Sequence, residues 1–169
     1  MTLQRVKSEM IRIIFVLLSM MSRNVFADDL VLTVVGRVTP MPCTVDTTQL
    51  RLDLGKIYAS ELAKPGSYGS WVNGTIRLSN CPAVTTGVTA SFSGQSGSNF
   101  YRNIGTAKNI EIQLQTISGD DLNNGKSQPI SITPQRTAEL PIRVRAYSGA
   151  GKVTDGTIQA TINITYTYQ

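Results

Sequence analysis

The sequence contains no histidine, and cysteine occurs only twice in its 169 residues. Without histidine, neither a Ser-His-Asp catalytic triad nor most protein zinc sites can be assembled. No glycine-rich phosphate loop stands before a helical pattern, as a nucleotide site would require. The missing residue types exclude the commonest enzyme and metal chemistries. We therefore expect no enzymatic activity, no cofactor, no bound metal and no small-molecule substrate.

Long hydrophobic runs are scarce as well. The longest, residues 13–21 (IIFVLLSMM), has nine residues, whereas a helix that crosses a bilayer needs about 20. Basic residues precede this run, and the small residue Ala27 ends the segment after it, an order typical of a secretory signal peptide. We predict a signal peptide over residues 1–27, whose first residue is either Met1 or Met10.

The excess of positive over negative charge is also small. The formal net charge is +5, and removal of the predicted signal peptide takes away four basic residues and one acidic residue, which leaves +2. A protein that attracts nucleic acid usually carries a concentrated basic patch. We expect no nucleic-acid partner.

The two cysteines, Cys43 and Cys81, both follow the predicted signal peptide. An even number of cysteines in an exported chain is typical of disulfide pairing in an oxidising compartment. Two thiolates without histidine make a poor zinc site. The sequence therefore predicts a disulfide between Cys43 and Cys81.

The rest of the sequence is dominated by alternation of apolar and polar residues, the pattern of half-buried β-strands. It occurs in eight segments: 30–38, 50–54, 76–78, 88–92, 110–114, 130–132, 140–146 and 158–168. No helical stripe is present beyond a single turn at residues 61–64. Many short one-sided strands predict one all-β domain, a β-sandwich of immunoglobulin-like class. Trp71 is expected to close one end of its core, with an exposed sugar-stacking ring as the alternative.

The predicted function depends on how the first and last predicted strands are paired. Residues 30–38 form a nearly ideal strand close to the predicted mature N-terminus, where chains are usually disordered unless they are tied down. The segment is either the ordinary first strand of the sandwich or an extension that completes another domain. Periodicity alone leaves both interpretations open. The last segment, residues 157–168, is equally regular.

Six segments of the mature chain together match a known family pattern. They are Thr33–Val38, Pro42–Val45, Asp53–Gly55, Leu78–Pro82, Val88–Gly94 and Gly156–Gln169. Within the last of them, Gly156 is the fourteenth residue from the end and Tyr168 is the penultimate residue. With these features the sequence resembles the pilins of chaperone–usher fimbriae along the whole mature chain, and among them the FimG-type minor tip adaptors of type 1 fimbriae. A glycine and a tyrosine at these two positions are typical of that family.

The resemblance implies an incomplete immunoglobulin-like β-sandwich that is completed by a donor strand from a neighbouring subunit. It implies residues 28–41 as the N-terminal donor-strand extension and residues 42–169 as the pilin domain. A periplasmic chaperone would fill the groove first, and the next subunit would replace it at the outer-membrane usher. The donor residues would be Leu30, Leu32, Val34, Gly36 and Val38, in which glycine allows close backbone approach.

On the receiving side, the resemblance implies an acceptor groove that is also the chaperone-binding strand. The chaperone would pair with this last strand and hold the carboxylate of Gln169. The residues expected in this groove are Gly156, Ile158, Ala160, Ile162, Ile164, Tyr166, Tyr168 and Gln169.

The family resemblance leaves three roles to compare. A minor adaptor is favoured, and a major rod pilin is the alternative. A receptor-binding adhesin is the third and least expected role, since adhesins of the family carry a separate lectin domain and lack a donor extension, whereas this chain has the predicted extension and no room for another domain. Pro40 departs from the family pattern and makes Val38 the last expected donor residue. In every case the resemblance implies export through the periplasm to the cell surface, in a fimbria that supports adhesion.

Overall fold

A computed structural model describes residues 33–38 and 41–169 of the chain. The chain divides into two units, residues 1–37 and residues 38–169. In the first unit, the described residues 33–37 lie outside any strand and their side chains are exposed. The leucines predicted at positions 30 and 32 lie outside the described residues. Within the part that is described, no helix is long and apolar enough to cross a membrane.

The second unit is all-β and contains two sheets. The larger sheet has the order β1-β3-β8-β6-β5, with β2 also paired to β8, and all of its pairings are antiparallel. Because β8 is bonded on both sides, it is the central strand of this sheet. The strands are β1 (Thr44–Val45), β2 (Ser67–Tyr68), β3 (Val72–Ser79), β5 (Tyr101–Arg102), β6 (Glu111–Thr116) and β8 (Ala138–Ser148).

The smaller sheet has three antiparallel strands in the order β7-β4-β9. They are β7 (Ser127–Ser131), β4 (Gly87–Gly94) and β9 (Ile162–Tyr168). The outer strand β7 carries Pro129, which has no backbone N–H and so discourages further pairing at an edge. The opposite outer strand, β9, contains no proline.

The core lies between the two sheets and follows from the alternation in the sequence. In β8, every second residue from Ala138 to Ser148 is buried, because successive side chains of a strand point to opposite faces. Phe92 of β4 and Ile76 of β3 are each 1% exposed. Burial of such a side chain contributes about 1.5–3 kcal/mol. The predicted all-β sandwich and the disulfide between Cys43 and Cys81 are both confirmed.

Four local expectations need correction. Residues 50–54 are in no strand, and the last strand begins at Ile162 rather than at residue 158. Trp71 does not close the core. It is half-buried and stacks against Arg143 and Arg145, whose side chains lie on the face of β8 that points away from the core. A single 3-10 turn is present, at Ala59–Leu62, two residues before the predicted one.

Candidate functional site

One free pairing edge of the smaller sheet belongs to β9. It pairs with β4 along its whole length, from Gly94 opposite Ile162 to Val88 opposite Tyr168. Since β4 pairs with β7 on its other side, β9 is the outer strand, and no described residue pairs with its free edge. An edge of this kind presents a row of backbone N–H and C=O groups to any strand that can reach it.

The side chains of the last segment alternate between half-buried and exposed. The half-buried residues pack against the core and are Ile158, Ala160, Ile162, Ile164, Tyr166 and Tyr168. They are the apolar residues that the sequence predicted for the acceptor groove. Burial raises the pKa of the Tyr166 phenol, and the neighbouring Tyr168 acts in the same direction. The segment is therefore apolar along its inner side yet open along its edge.

A second open segment lies between β1 and the 3-10 turn. Leu52, Leu54 and Ile57 are half-buried against the core, while Leu50 is 41% exposed. Within the described chain, residues 48–57 make no backbone–backbone hydrogen bond. Backbone groups left without a partner in folded proteins are rare unless water or another chain satisfies them. Apart from Gly55 N, which donates to Asp53 Oδ1 at 2.9 Å, this segment is thus a second row of apolar side chains and unpaired backbone groups.

Gly74 of β3 brings this second segment close to the sheet. A Cβ atom placed on Gly74 would lie 2.8 Å from Leu52 Cδ2 and 3.1 Å from Leu50 Cδ2. Real Cβ contacts of this length are almost never seen, because they overlap the van der Waals radii. The glycine therefore lets both leucines rest directly on the backbone of β3.

The two open segments meet similar neighbours at each end. Thr86 N donates to Gln169 O at 2.7 Å, and the adjacent Thr85 hydroxyl donates to Met41 O at 3.3 Å, which places both chain segments at the same pole. At the opposite pole, Ile57 and Ile158 line one cavity of about 240 Å³. The two segments therefore run antiparallel and leave an apolar groove between them, which we call the acceptor groove.

The cavity at the far end of the acceptor groove is mainly apolar. Leu62, Ile110 and Val153 contribute to its wall, and Lys56 and Asp155 bring opposite charges to it. Gly156, with φ of +152°, also lines the cavity, and a Cβ there would collide with the Ala107 backbone nitrogen. Only glycine fits this position, which gives a physical reason for the glycine that the sequence comparison with pilins singled out.

Three of the predicted donor residues, Val34, Gly36 and Val38, lie among the described residues and are exposed. Val34 is 83% exposed and Val38 is 99% exposed. A Cβ on Gly36 would meet no atom within 4 Å. Leu30 and Leu32 lie outside the described residues, so that the donor role of all five residues stays a prediction. The second wall of the groove runs from Leu50 to Ile57. Its first part, residues 50–54, was predicted as a strand, but none of it was predicted as part of a site.

The disulfide lies at the pole that holds Gln169. Cys43 and Cys81 are both buried, and their bond ties the residue immediately before β1 to the residue pair that follows β3. Among residues 33–38 and 41–169, no three His, Cys, Asp or Glu side chains are grouped so that they could hold a metal ion. The groove can bind another chain through backbone hydrogen bonds to a strand and through burial of apolar side chains.

Comparison with known proteins agrees with this geometry. Residues 32–169 match the family described as fimbrial protein. Protein FimG of Escherichia coli (strain K12) is 43% identical over 154 residues, which cover 90% of this chain and 92% of FimG. The S-fimbrial adhesin protein SfaS of Escherichia coli O6:K15:H31 (strain 536 / UPEC) is 34% identical over 145 residues, or 84% of this chain and 86% of SfaS.

Among solved structures, the P pilus rod subunit PapA is similar with a TM-score of 0.64 and 20% identity. The match covers 76% of this chain and all of the PapA chain. At this identity the likeness concerns the fold. It confirms the predicted fold class, the incomplete immunoglobulin-like sandwich of the pilins.

Proposed function

The chain belongs to the fimbrial protein family, and on this premise we propose that it is a structural subunit of a bacterial fimbria whose groove is completed by a strand of a neighbouring subunit. The observation that carries the proposal is the acceptor groove, which is flanked by the free edge of β9 and the unpaired residues 48–57. A strand laid between them would satisfy backbone groups on both sides, the mode of recognition known as β-augmentation.

The domain layout follows from the same proposal. Residues 1–27 are the secretory signal, residues 28–41 are the donor extension and residues 42–169 are the pilin domain. Alternating apolar residues in the extension suit an alternating groove, because in a strand only every second side chain faces one side. Four buried aliphatic side chains would contribute about 6–12 kcal/mol, which is comparable to the stability of a whole domain.

The partners of this subunit are a periplasmic pilus chaperone, an outer-membrane usher and the neighbouring pilin subunits. A free groove exposes apolar side chains and a strand edge, which together form a template for aggregation. A temporary occupant during export therefore has a physical purpose. The subunit has no enzymatic role, and it reaches the cell surface through the periplasm as part of a fimbria that supports adhesion.

Within the fimbria we favour the position of a minor adaptor, since FimG aligns over 92% of its length at 43% identity. The major rod pilin remains the alternative, since PapA shares the fold. SfaS, a relative named as an adhesin, aligns over 86% of its length. A relative of nearly the same length is therefore named as an adhesin. The expectation that this chain is too short to be an adhesin does not hold.

Thermal unfolding of two variants tests the proposal. One variant lacks residues 28–41, and the other lacks them at the N-terminus but carries the same segment after Gln169 through a short flexible linker. We expect the midpoint of the second variant to be higher by tens of degrees, since about 6–12 kcal/mol of burial is added.

Equal midpoints would leave two explanations that a further measurement separates. Peptides that copy the extensions of other fimbrial subunits would be added to the shortened variant. Stabilisation by one of them would retain the proposal and show that the groove rejects its own donor. Failure of all of them would overturn it.

A further inference from the structure

A row of stacked aromatic and arginine side chains lies on the outer face of the larger sheet. The Arg145 guanidinium carbon is 3.5 Å from the ring centre of Tyr68 and 4.1 Å from that of Trp71. Both distances are well inside the range of favourable cation–π contacts. The row, called here the arginine–aromatic stack, comprises Phe100, Tyr147, Tyr68, Arg145, Trp71 and Arg143.

Hydrogen bonds from neighbouring β6 fix the two guanidinium groups. Arg145 Nε donates to Gln113 Oε1 at 2.8 Å, and Arg143 Nη2 donates to Gln115 Oε1 at 3.0 Å. Both glutamine amides then donate to the same carboxylate oxygen, Asp121 Oδ1, at 2.9 Å. The carboxylate therefore holds the glutamines, and within the described residues neither guanidinium forms an ion pair.

The two guanidinium groups of the stack lie close together. Arg143 and Arg145 both contact the Trp71 ring system, at 4.4 and 4.1 Å from a ring centre. Burial lowers the pKa of Arg145, and the charge of Arg143 acts in the same direction, whereas Tyr68 and Asp121 act against it. An anion beside the two guanidinium groups would relieve the repulsion between them.

The same residues limit the kind of anion. Stacking covers ring and guanidinium faces, so the groups that remain are donors at the edges: guanidinium N–H, the Trp71 indole N–H and the phenol of Tyr68, which is 43% exposed. β8, which carries both arginines, is paired with β3 on one side and with β6 on the other, so a peptide finds no free edge on this strand. Rigid donors suit a ligand with a carboxylate and several hydroxyl oxygens.

From this arrangement we propose that the arginine–aromatic stack is a binding site for a saccharide that carries a carboxylate. The guanidinium groups of Arg143 and Arg145 bind the carboxylate, and the Tyr68 and Trp71 edges contact ring hydroxyls. The site lies on the outer face of the larger sheet and is separate from the acceptor groove. It would give the subunit a ligand of its own in addition to its place in a fibre.

Trp71 is the only tryptophan of the chain, so its fluorescence reports on the site directly. The purified full chain would be titrated with glucuronate, with glucose at the same concentrations and with acetate. We expect a saturable change with glucuronate and none with glucose or acetate alone. Arg145→Gln is expected to weaken glucuronate binding about tenfold or more, because a charge-assisted hydrogen bond is lost.

Arg77→Gln is the matched control, since Arg77 lies on the same sheet but pairs with Glu139 at 3.0 Å. It should leave the glucuronate affinity within about twofold. Circular dichroism of each variant separates lost binding from lost folding. No saturable change with glucuronate, or equal responses to glucose, would overturn the proposal. An equal response to acetate would assign the site to any carboxylate, such as an acidic side chain of a protein, and would overturn the saccharide.

Discussion

Thr106 and Thr157 hold each other through reciprocal hydrogen bonds. Thr106 N donates to Thr157 Oγ1 at 3.0 Å, and Thr157 N donates to Thr106 Oγ1 at 2.8 Å. Asn103 reinforces the link, since its Oδ1 accepts from Gln159 N at 2.8 Å. The chain is thus fixed beside the cavity at the far end of the acceptor groove, at a place where the last segment has left its pairing with β4.

Removal of either hydroxyl should weaken this link measurably. We expect Thr106→Val and Thr157→Val each to lower the free energy of unfolding by about 1–2 kcal/mol, because a backbone N–H loses its acceptor. The double variant should lose less than the sum, since both changes break one reciprocal pair. Urea unfolding measures all three. Thr161→Val, in the same segment but exposed and outside this network, should change little, and an equal loss there would argue against the link.

Gly74→Ala should destabilise the fold mildly. Its Cβ would lie 2.8 Å from Leu52 Cδ2, and the ends of the Leu50 and Leu52 side chains would have to move away from the sheet to relieve that overlap. Because both side chains can rotate, we expect a loss of about 1 kcal/mol in the free energy of unfolding, at the low end of the usual cost of overpacking. Gly87→Ala is the control, because its Cβ would meet only the Gln169 side chain at 4.0 Å. A neutral Gly74→Ala would mean that the second wall of the groove is not packed as described.

The sandwich and the first groove wall could be predicted from the sequence because their strands are long and strictly alternating. β8 and β9 show this best: the predicted inward residues of β8, from Leu140 to Ala146, are buried. The second wall was predicted as a strand, because Leu50, Leu52 and Leu54 alternate with polar residues. It is not one in this chain, since a strand needs a hydrogen-bonded partner and residues 48–57 have none among the described residues.

Trp71 shows a different limit of sequence reasoning. Tryptophan side chains are, on average, largely buried in folded proteins. Trp71 was therefore expected to close the core. Its position is decided by Arg143 and Arg145, which are 72 and 74 residues further along the chain and reach it through the pairing of β3 with β8. Contacts between residues so far apart cannot be read from local periodicity. The cavity beside Ile57 and Ile158 was missed for the same reason.

The disulfide should contribute strongly to stability. Cys43 and Cys81 are 38 residues apart, and closure of a loop of that length stabilises a fold by about 4 kcal/mol in the chain-entropy model. We expect Cys43→Ser to lower the thermal midpoint by roughly 8–16 °C and to reduce the yield of exported protein. In Cys43→Ser the Cys81 thiol is left free and can react with other thiols. The double variant, Cys43→Ser with Cys81→Ser, controls for that effect. An unchanged midpoint in both variants would contradict the bond.

Alkaline pH should unfold the domain in part through Tyr101. Its hydroxyl donates to Leu122 O at 2.8 Å, and burial raises the pKa of Tyr101 to about 12. An unfolded tyrosine titrates near 10. Between pH ~10 and ~12 the unfolded chain therefore releases a proton that the folded chain keeps, and the free energy of unfolding falls as pH rises.

The size of that loss is about 2–3 kcal/mol, with no contribution from this group below pH ~10. Urea unfolding at a series of pH values measures it. Tyr166 and Tyr168 also have raised pKa values because of burial, so the comparison with Tyr101→Phe isolates one residue. That variant should be less stable at pH 7, since Leu122 O loses its donor, and should have a flatter profile above pH 10. If the free energy of unfolding falls equally steeply above pH 10 in Tyr101→Phe and in the unmodified chain, the alkaline loss comes from other groups.

The donor role of the extension can be tested by a pair of adjacent residues. Val34 and Val35 are 83% and 87% exposed, so neither substitution should disturb the domain itself. In a donor strand, however, successive side chains face opposite sides, and only Val34 belongs to the set predicted to enter the groove. Both residues would be changed to aspartate in the variant that carries residues 28–41 after Gln169.

Val34→Asp should abolish most of the thermal stabilisation that the attached segment gives, because a carboxylate in an apolar groove costs several kcal/mol and the burial of a valine is lost. Val35→Asp should keep most of it, since this side chain faces solvent when the strand is seated. Both are measured by the midpoint of thermal unfolding. Equal losses would mean that the segment does not bind as a regular strand, and a larger loss for Val35→Asp would mean that the opposite face enters the groove.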